Sequence, residues 1–376
     1  MNIILICNEY PPAPHGGIGT FVQTMGRALT ARGHRVVVLG SGPIDEERRD
    51  GDVTIRMICE MRWPPRFFPL INRWRLARAL NRLVHEMKAD IVEVPDYLGL
   101  LPMRFMACPV VVRLHLSATT ILQHAGKTIP RMLGWFERRT LAKHRNWIGV
   151  SRYSMELTRS SFGLDPKHST VINYPIRSKV PADPTPMAAR SVLFGGGVTV
   201  RKGALVLAES ARRFLARFPD CHLFYAGPDL DQDGPIEPRI RAVAGEAVSD
   251  RIHLLGALPH DQFLQTIARC DVFAFPSTLE TFGLVVAEAM LCGIPVVTSD
   301  MPPFTEFVED KRTGLLVDPK SSSAVADAIE QLLEDAALRQ QLGSAAKAFI
   351  EGHFSLDRAV DRTLEFYQQV RLNGAR

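Results

Sequence analysis

Cysteine is scarce in this 376-residue chain, and its six copies form no CxxC pair. Cys7, Cys59, Cys108, Cys221, Cys270 and Cys292 are scattered, most of them in apolar runs. That distribution reads as buried thiols and argues against a disulfide framework or a thiolate metal site. The eleven histidines include no HExxH motif and no close ligand cluster, so no dedicated structural metal is expected. No apolar run approaches the roughly 20 residues a helix needs to cross a bilayer. The first apolar run, residues 3–7, is too short for a signal-peptide core and follows no basic region. Export is not expected, and a cytoplasmic location is. No nucleic-acid recognition module accompanies the basic residues, so DNA is a poor partner.

What is present is ordinary in amount and uneven in placement. A hydrophobic fraction of 46% and a charged fraction of 23% suit a folded globular chain. The length exceeds one domain core and predicts two of similar size. Residues 1–185 carry 26 Lys+Arg against 15 Asp+Glu, an excess of 11 positive charges, whereas the remainder carries 19 against 25. An anionic acceptor, a membrane surface near the first half or a solvated basic face each accounts for that split.

Short apolar runs alternate with amphipathic stretches in both halves. In the first, residues 3–7, 35–39, 53–58, 90–94, 109–114, 147–150 and 170–173 read as strands, with helices over 19–31, 74–87 and 130–143. In the second, strands fall at 191–194, 221–226, 251–255, 271–275, 295–298 and 314–317. Helices there fall at 204–218, 260–268, 283–291, 322–334 and 336–351. Such continuous valine-rich runs, separated by helices, are parallel strands covered on both faces. Prolines at 175, 181, 184 and 186 interrupt the pattern and place a boundary near residue 180. The expected organisation is an α/β domain over 1–180, a second over 181–353, and a helix from 354 to 376 returning to the first. Two such doubly wound, Rossmann-like domains would face each other across a ligand cleft.

Four segments could carry chemistry. After the first strand, Gly16 and Gly17 precede a helix; they suit an anion, or make an ordinary proline/glycine turn. The run Glu93-Val94-Pro95-Asp96-Tyr97 and the run Arg113-Leu114-His115 end two further strands and can project into a sheet-edge crevice. His115 could orient a hydroxyl or be a satisfied structural histidine, and Arg113 is expected on the other strand face in a structural contact. Gly195-Gly196-Gly197 leads to Arg201 and Lys202 at a helix start, a fork and a point charge suited to a diphosphate. In FPSTLETFGLVVAEAM, Glu280 lies in a loop and Glu288 inside the following helix, about 8–12 Å along it. That spacing is too wide for a shared proton. It suits a ligand with two hydroxyl-bearing parts flanking a phosphate that meets the N–H groups of Gly283 and Leu284. Glu288 stands in an apolar helix and so asks for a partner.

These motifs, above all DVFAFPSTLETFGLVVAEAMLCGIPVVTS with TGLLVDP behind it, resemble the retaining glycosyltransferase family 4, whose fold is termed GT-B. The resemblance spans nearly the whole chain. It implies metal-independent, retaining transfer of a hexose from a nucleoside diphosphate, a UDP-sugar favoured, with no cofactor required. It also implies roles by position. Gly16 and Gly17 would lie over the donor phosphates, His115 near the donor sugar, and Arg201 with Lys202 on the diphosphate. Glu280 would meet donor-sugar hydroxyls, Glu288 the ribose, and the turn at 255–258 the nucleobase. Two features depart from the family: Gly197 stands where many relatives have arginine, and Pro302-Pro303 where many have glycine. A nucleotide-sugar epimerase and a noncatalytic nucleotide-sugar-binding protein are the competing accounts. For the acceptor, residues 62–68 and 73–78 join aromatic and basic side chains. They suit peripheral contact with an anionic membrane or lipid-linked acceptor, an anionic soluble acceptor, or a core helix with a wet basic side.

Overall fold

The computed structural model describes residues 1–13, 16–61, 68–103, 108–176, 185–231 and 233–374. Residues 62–67 of the aromatic and basic stretch, and 177–184 of the proline-rich bridge, lie outside them. The chain forms two compact units, Met1–Pro175 with Leu356–Arg376, and Ile176–Ser355.

Unit 1 is built on an eight-stranded sheet. Its strands are β1 (Asn2–Ile6), β2 (Arg35–Gly42), β3 (Glu46–Asp50), β4 (Val53–Cys59), β5 (Ile91–Pro95), β6 (Val110–Leu114), β7 (Asn146–Gly149) and β8 (His168–Val171). Their spatial order is β3-β4-β2-β1-β5-β6-β7-β8, and every pairing is parallel except β3 with β4. The helices are α1 (Gly17–Ala31), α2 (Phe68–Met87), α3 (Ala118–His124), α4 (Arg131–Lys143) and α5 (Arg152–Phe162). β5 and β6 are buried at every position, the consequence of helices covering both sheet faces. Leu76, Leu80 and Leu83, spaced for one face of α2, pack with Ile4, Val37, Val92 and Trp147 in one core.

Unit 2 carries six parallel strands: β9 (Arg190–Gly195), β10 (Cys221–Ala226), β11 (Ile252–Gly256), β12 (Val272–Phe275), β13 (Val296–Ser299) and β14 (Leu315–Val317). Their order, β11-β10-β9-β12-β13-β14, reverses between β9 and β12. This is the doubly wound pattern, with its switch point between those two strands. The helices are α6 (Ala204–Arg217), α7 (Ile236–Ala244), α8 (Glu246–Ser249), α9 (His260–Ala268), α10 (Leu284–Leu291), α11 (Ser322–Glu334) and α12 (Ala336–His353).

The last helix, α13 (Leu356–Gly374), belongs to unit 1. Arg371 pairs with Asp90 at 2.8 Å, and Arg32 pairs with Asp357 and Asp361. The Tyr367 hydroxyl donates to Glu93 Oε2 at 2.6 Å. Glu93 itself holds Arg113 through two 2.8 Å bonds, and both side chains are buried. Arg113 is thus a structural residue, but the face expected for it is corrected. Arg113 in β6 and His115 just beyond its end, two positions apart, fall on one face while the chain stays extended. Both reach Phe21: its ring lies 4.6 Å from the Arg113 guanidinium and 5.3 Å from the His115 ring.

Candidate active site

In unit 2 the switch point is assembled from two loops. β9 runs through Gly195-Gly196-Gly197 to Arg201 and Lys202, and β12 runs through Pro276 to Glu280. Thr278 donates to the Arg201 carbonyl from its amide at 2.9 Å and from its hydroxyl at 3.0 Å. Arg201 Nη1 returns a 2.6 Å bond to the Leu279 carbonyl. Gly203 permits the close approach, for a Cβ there would sit 2.1 Å from the Pro276 oxygen at a φ of +85°. So fastened, Lys202 Nζ lies 3.4 Å from Glu280 Oε1, and the two side chains keep only 20% and 16% of their exposure. Ammonium and carboxylate therefore meet largely screened from solvent.

Gly283 turns the same loop into α10. Its φ is +85°, and a Cβ would fall 2.5 Å from the Phe304 ring, so no other residue fits there without strain. α10 therefore starts at Leu284 with no side-chain cap, so the positive end of its dipole is not offset by a capping side chain. Glu288, one turn further on, is buried, and its Oε1 lies 2.8 Å from Nε2 of His260 at the start of α9. His260 was not singled out by its sequence position. The signal for it was indirect: a carboxylate in an apolar helix needs a donor. Gly197 lies beneath the exposed Leu230, 2.8 Å from where its Cβ would be. An arginine there would have to displace that side chain.

In unit 1 Gly16 caps α1 and Gly17 is its first residue. The acidic group at this helix start is the chain's own Glu9, which accepts the Gly19 N–H at 3.1 Å. His115 follows β6 and is buried, its amide donating to Asp96 Oδ1 at 2.9 Å and its Nδ1 bonded to the Tyr174 hydroxyl. Burial, reinforced by the cationic Arg113, holds the imidazole well below its ordinary pKa, so it is neutral. The structure thus brings Arg201, Lys202, Glu280, Gly283 and Leu284 together in unit 2, with Glu288 on the same helix. Gly16, Gly17 and His115 belong to unit 1. Among the described residues no group of three or more His, Cys, Asp or Glu could hold a metal ion.

Asp96 carries a pH-dependent prediction. It is fully buried, its Oδ2 has no hydrogen-bond partner among the described residues, and burial pushes its carboxyl up to about 7. Between the unfolded value near 4 and the folded value near 7, the folded state binds the extra proton. Unit 1 should therefore lose stability as pH rises through that window. Urea unfolding across it, compared with Asp96→Asn, should show a flatter pH slope in the variant; parallel slopes would contradict the assignment.

Two family models match: "Glycosyltransferase Family 4" over residues 15–178 and "Glycosyl transferases group 1" over residues 181–349. Glycogen synthase of Mycobacterium tuberculosis is 28% identical across 98% of this chain and 94% of its own. Phosphatidyl-myo-inositol mannosyltransferase of the same organism is 26% identical across 100% and 99%. The crystal structure of Anabaena Alr3699/HepE with UDP-glucose superposes with a TM-score of 0.76 at 19% identity, covering 98% of this chain and 100% of that one.

Proposed function

Since the chain belongs to glycosyltransferase family 4, we propose that it moves a hexose from a nucleoside-diphosphate sugar to an acceptor hydroxyl with retention at the anomeric carbon. The observation that carries this reading is the Lys202–Glu280 pair, fastened with Arg201 at the switch point of unit 2 and followed at once by the bare start of α10. A UDP-sugar is favoured as donor, in keeping with the nucleotide sugar bound by the Anabaena protein of the same fold. Unit 2 takes the donor and unit 1 the acceptor.

In this reading the acceptor oxygen forms its bond to the anomeric carbon on the face from which the diphosphate departs. The carbon–oxygen bond to the phosphate breaks, and the acceptor proton passes to a phosphate oxygen. Until that proton arrives the departing diphosphate carries additional developing negative charge, which Arg201, Lys202 and the N–H groups at Gly283 and Leu284 stabilise. Glu280 holds sugar hydroxyls, and the neutral His115 is a hydrogen-bonding group rather than a charge. These cations supply the neutralisation directly, so the reading requires neither a metal nor a cofactor. The test is a donor panel mixed with candidate acceptors, read by product mass and anomeric configuration. Absence of both transfer and donor hydrolysis would overturn it; an isomerised free nucleotide sugar would indicate an epimerase, and tight binding without turnover a noncatalytic protein.

For the acceptor side we assign peripheral contact with an anionic membrane to α2 and α4. Leu70, Trp74 and Arg78 emerge from α2 at four-residue steps, with Trp74 half exposed. α4 exposes Arg131, Met132, Trp135, Arg138 and Arg139, while its one carboxylate, Glu137, is buried on the amides of Leu98, Ala118 and Thr119. The helices adjoin, for the Arg73 guanidinium lies 3.8 Å above the Phe136 ring. Tryptophan flanked by arginine suits a headgroup layer, and a phosphatidylinositol acceptor in the mycobacterial relative's name accords with such a surface. Flotation with vesicles containing anionic phospholipid should be strong at low salt, lost at high salt, and weakened by Trp74→Ala with Trp135→Ala. Equal flotation with neutral vesicles would contradict the charge argument.

A further inference from the structure

Glu288 sits where a carboxylate needs help. The helix that bears it is otherwise apolar, and the carboxylate keeps only 9% of its exposure. A carboxylate only accepts hydrogen bonds, so the 2.8 Å contact fixes Nε2 of His260 as the donor to Oε1. Oε1 is engaged from one side, and among the described residues no group donates to Oε2, which keeps its lone pairs for another donor. His260 is itself held firmly. It is the first residue of α9, behind Pro259, and Phe263 and Leu264 of that helix are buried. Phe263 lies against Gly195 at the end of β9, so closely that a Cβ on the glycine would come within 2.6 Å of its ring.

We propose that His260 is a positioning residue, which fixes the Glu288 carboxylate so that its free oxygen meets the ribose hydroxyls of the donor. The proposal rests on the reading of Glu288 as the ribose contact and deepens it. His260 also follows, one residue on, the 255–258 turn, the segment that the family resemblance sets beside the nucleobase. Base and ribose recognition then share one continuous piece of chain, and a shift of that turn moves the carboxylate with it. With alanine at 260 the carboxylate would swing between rotamers, and the distinction between a ribose and a deoxyribose would fade.

The experiment measures binding of UDP and 3′-deoxy-UDP by calorimetry to the full chain and to His260→Ala, His260→Gln and Glu288→Ala, with donor KM and kcat alongside. The wild type should prefer UDP by about tenfold or more, the worth of one hydrogen bond to a charged group. His260→Ala should reduce that preference below about threefold and raise donor KM more than it lowers kcat. His260→Gln, whose amide can still donate, should restore most of the preference. If Glu288→Ala abolishes the preference and His260→Ala keeps it, the positioning role is refuted while Glu288 remains the ribose contact. If both variants keep it, the ribose reading of Glu288 fails and the proposal with it.

Discussion

Lys202→Met should reduce transfer by about 10³-fold while leaving the protein folded. The ammonium lies 3.4 Å from Glu280 in a site that is four-fifths screened from solvent, where a charge acts on its neighbour far more strongly than in water. The donor diphosphate is already anionic when it binds and gains a further charge as the sugar leaves. Loss of the cation therefore raises donor KM and lowers kcat, the second effect being the diagnostic one. The cost to stability should be small, about 1 kcal/mol, because Glu280 loses its cation but retains partial exposure. Lys202→Arg should not rescue fully. A Cβ on Gly196 would be only 3.6 Å from Lys202 Nζ, so the compact ammonium lies close against backbone that a planar fork cannot approach in the same way. Steady-state kinetics paired with thermal unfolding tests the point. A large loss of stability with transfer reduced only in proportion to the unfolded fraction would assign Lys202 to the scaffold instead.

The α/β class was legible because, β3 aside, the strands of both sheets are parallel and doubly covered, which forces runs such as Val110-Val111-Val112 into the sequence. β3 escaped that reading. Its sequence, Glu46-Glu47-Arg48-Arg49-Asp50, has no apolar member, and it exists as an edge strand paired only with β4. α5 escaped for another reason: its eleven residues are started by a reciprocal cap between Ser151 and Ser154 rather than by a long apolar stripe. In the site, glycines and charges next to strand ends were visible because local geometry demands them. The partners were not. Tyr174 meets His115 from 59 positions away, and His260 meets Glu288 from 28, so each pairing is created by tertiary packing alone.

Arg113→Met should cost unit 1 about 3–5 kcal/mol, the penalty for leaving a buried charge without its partner. Glu93 would remain in the core with only the Tyr367 hydroxyl against it, and that hydroxyl belongs to the returning helix α13. The damage would thus extend from the sheet to the attachment of the chain terminus. Such a loss is a large share of a domain's usual 5–15 kcal/mol. The measurement is clean, because all four tryptophans (Trp63, Trp74, Trp135 and Trp147) precede residue 176. Urea unfolding followed by tryptophan fluorescence consequently reports on unit 1. The double variant Arg113→Met with Glu93→Leu should recover much of the loss, since two apolar groups of similar volume replace the pair and no charge is stranded. A single variant costing under about 1 kcal/mol, or a double variant no better than the single, would refute the ion-pair account. One further consequence separates it from simple packing damage. Arg113 is, after burial, the second cause of the depressed His115 pKa. The imidazole should therefore titrate at higher pH in the single variant, and NMR titration of its ring protons reads that shift independently of stability.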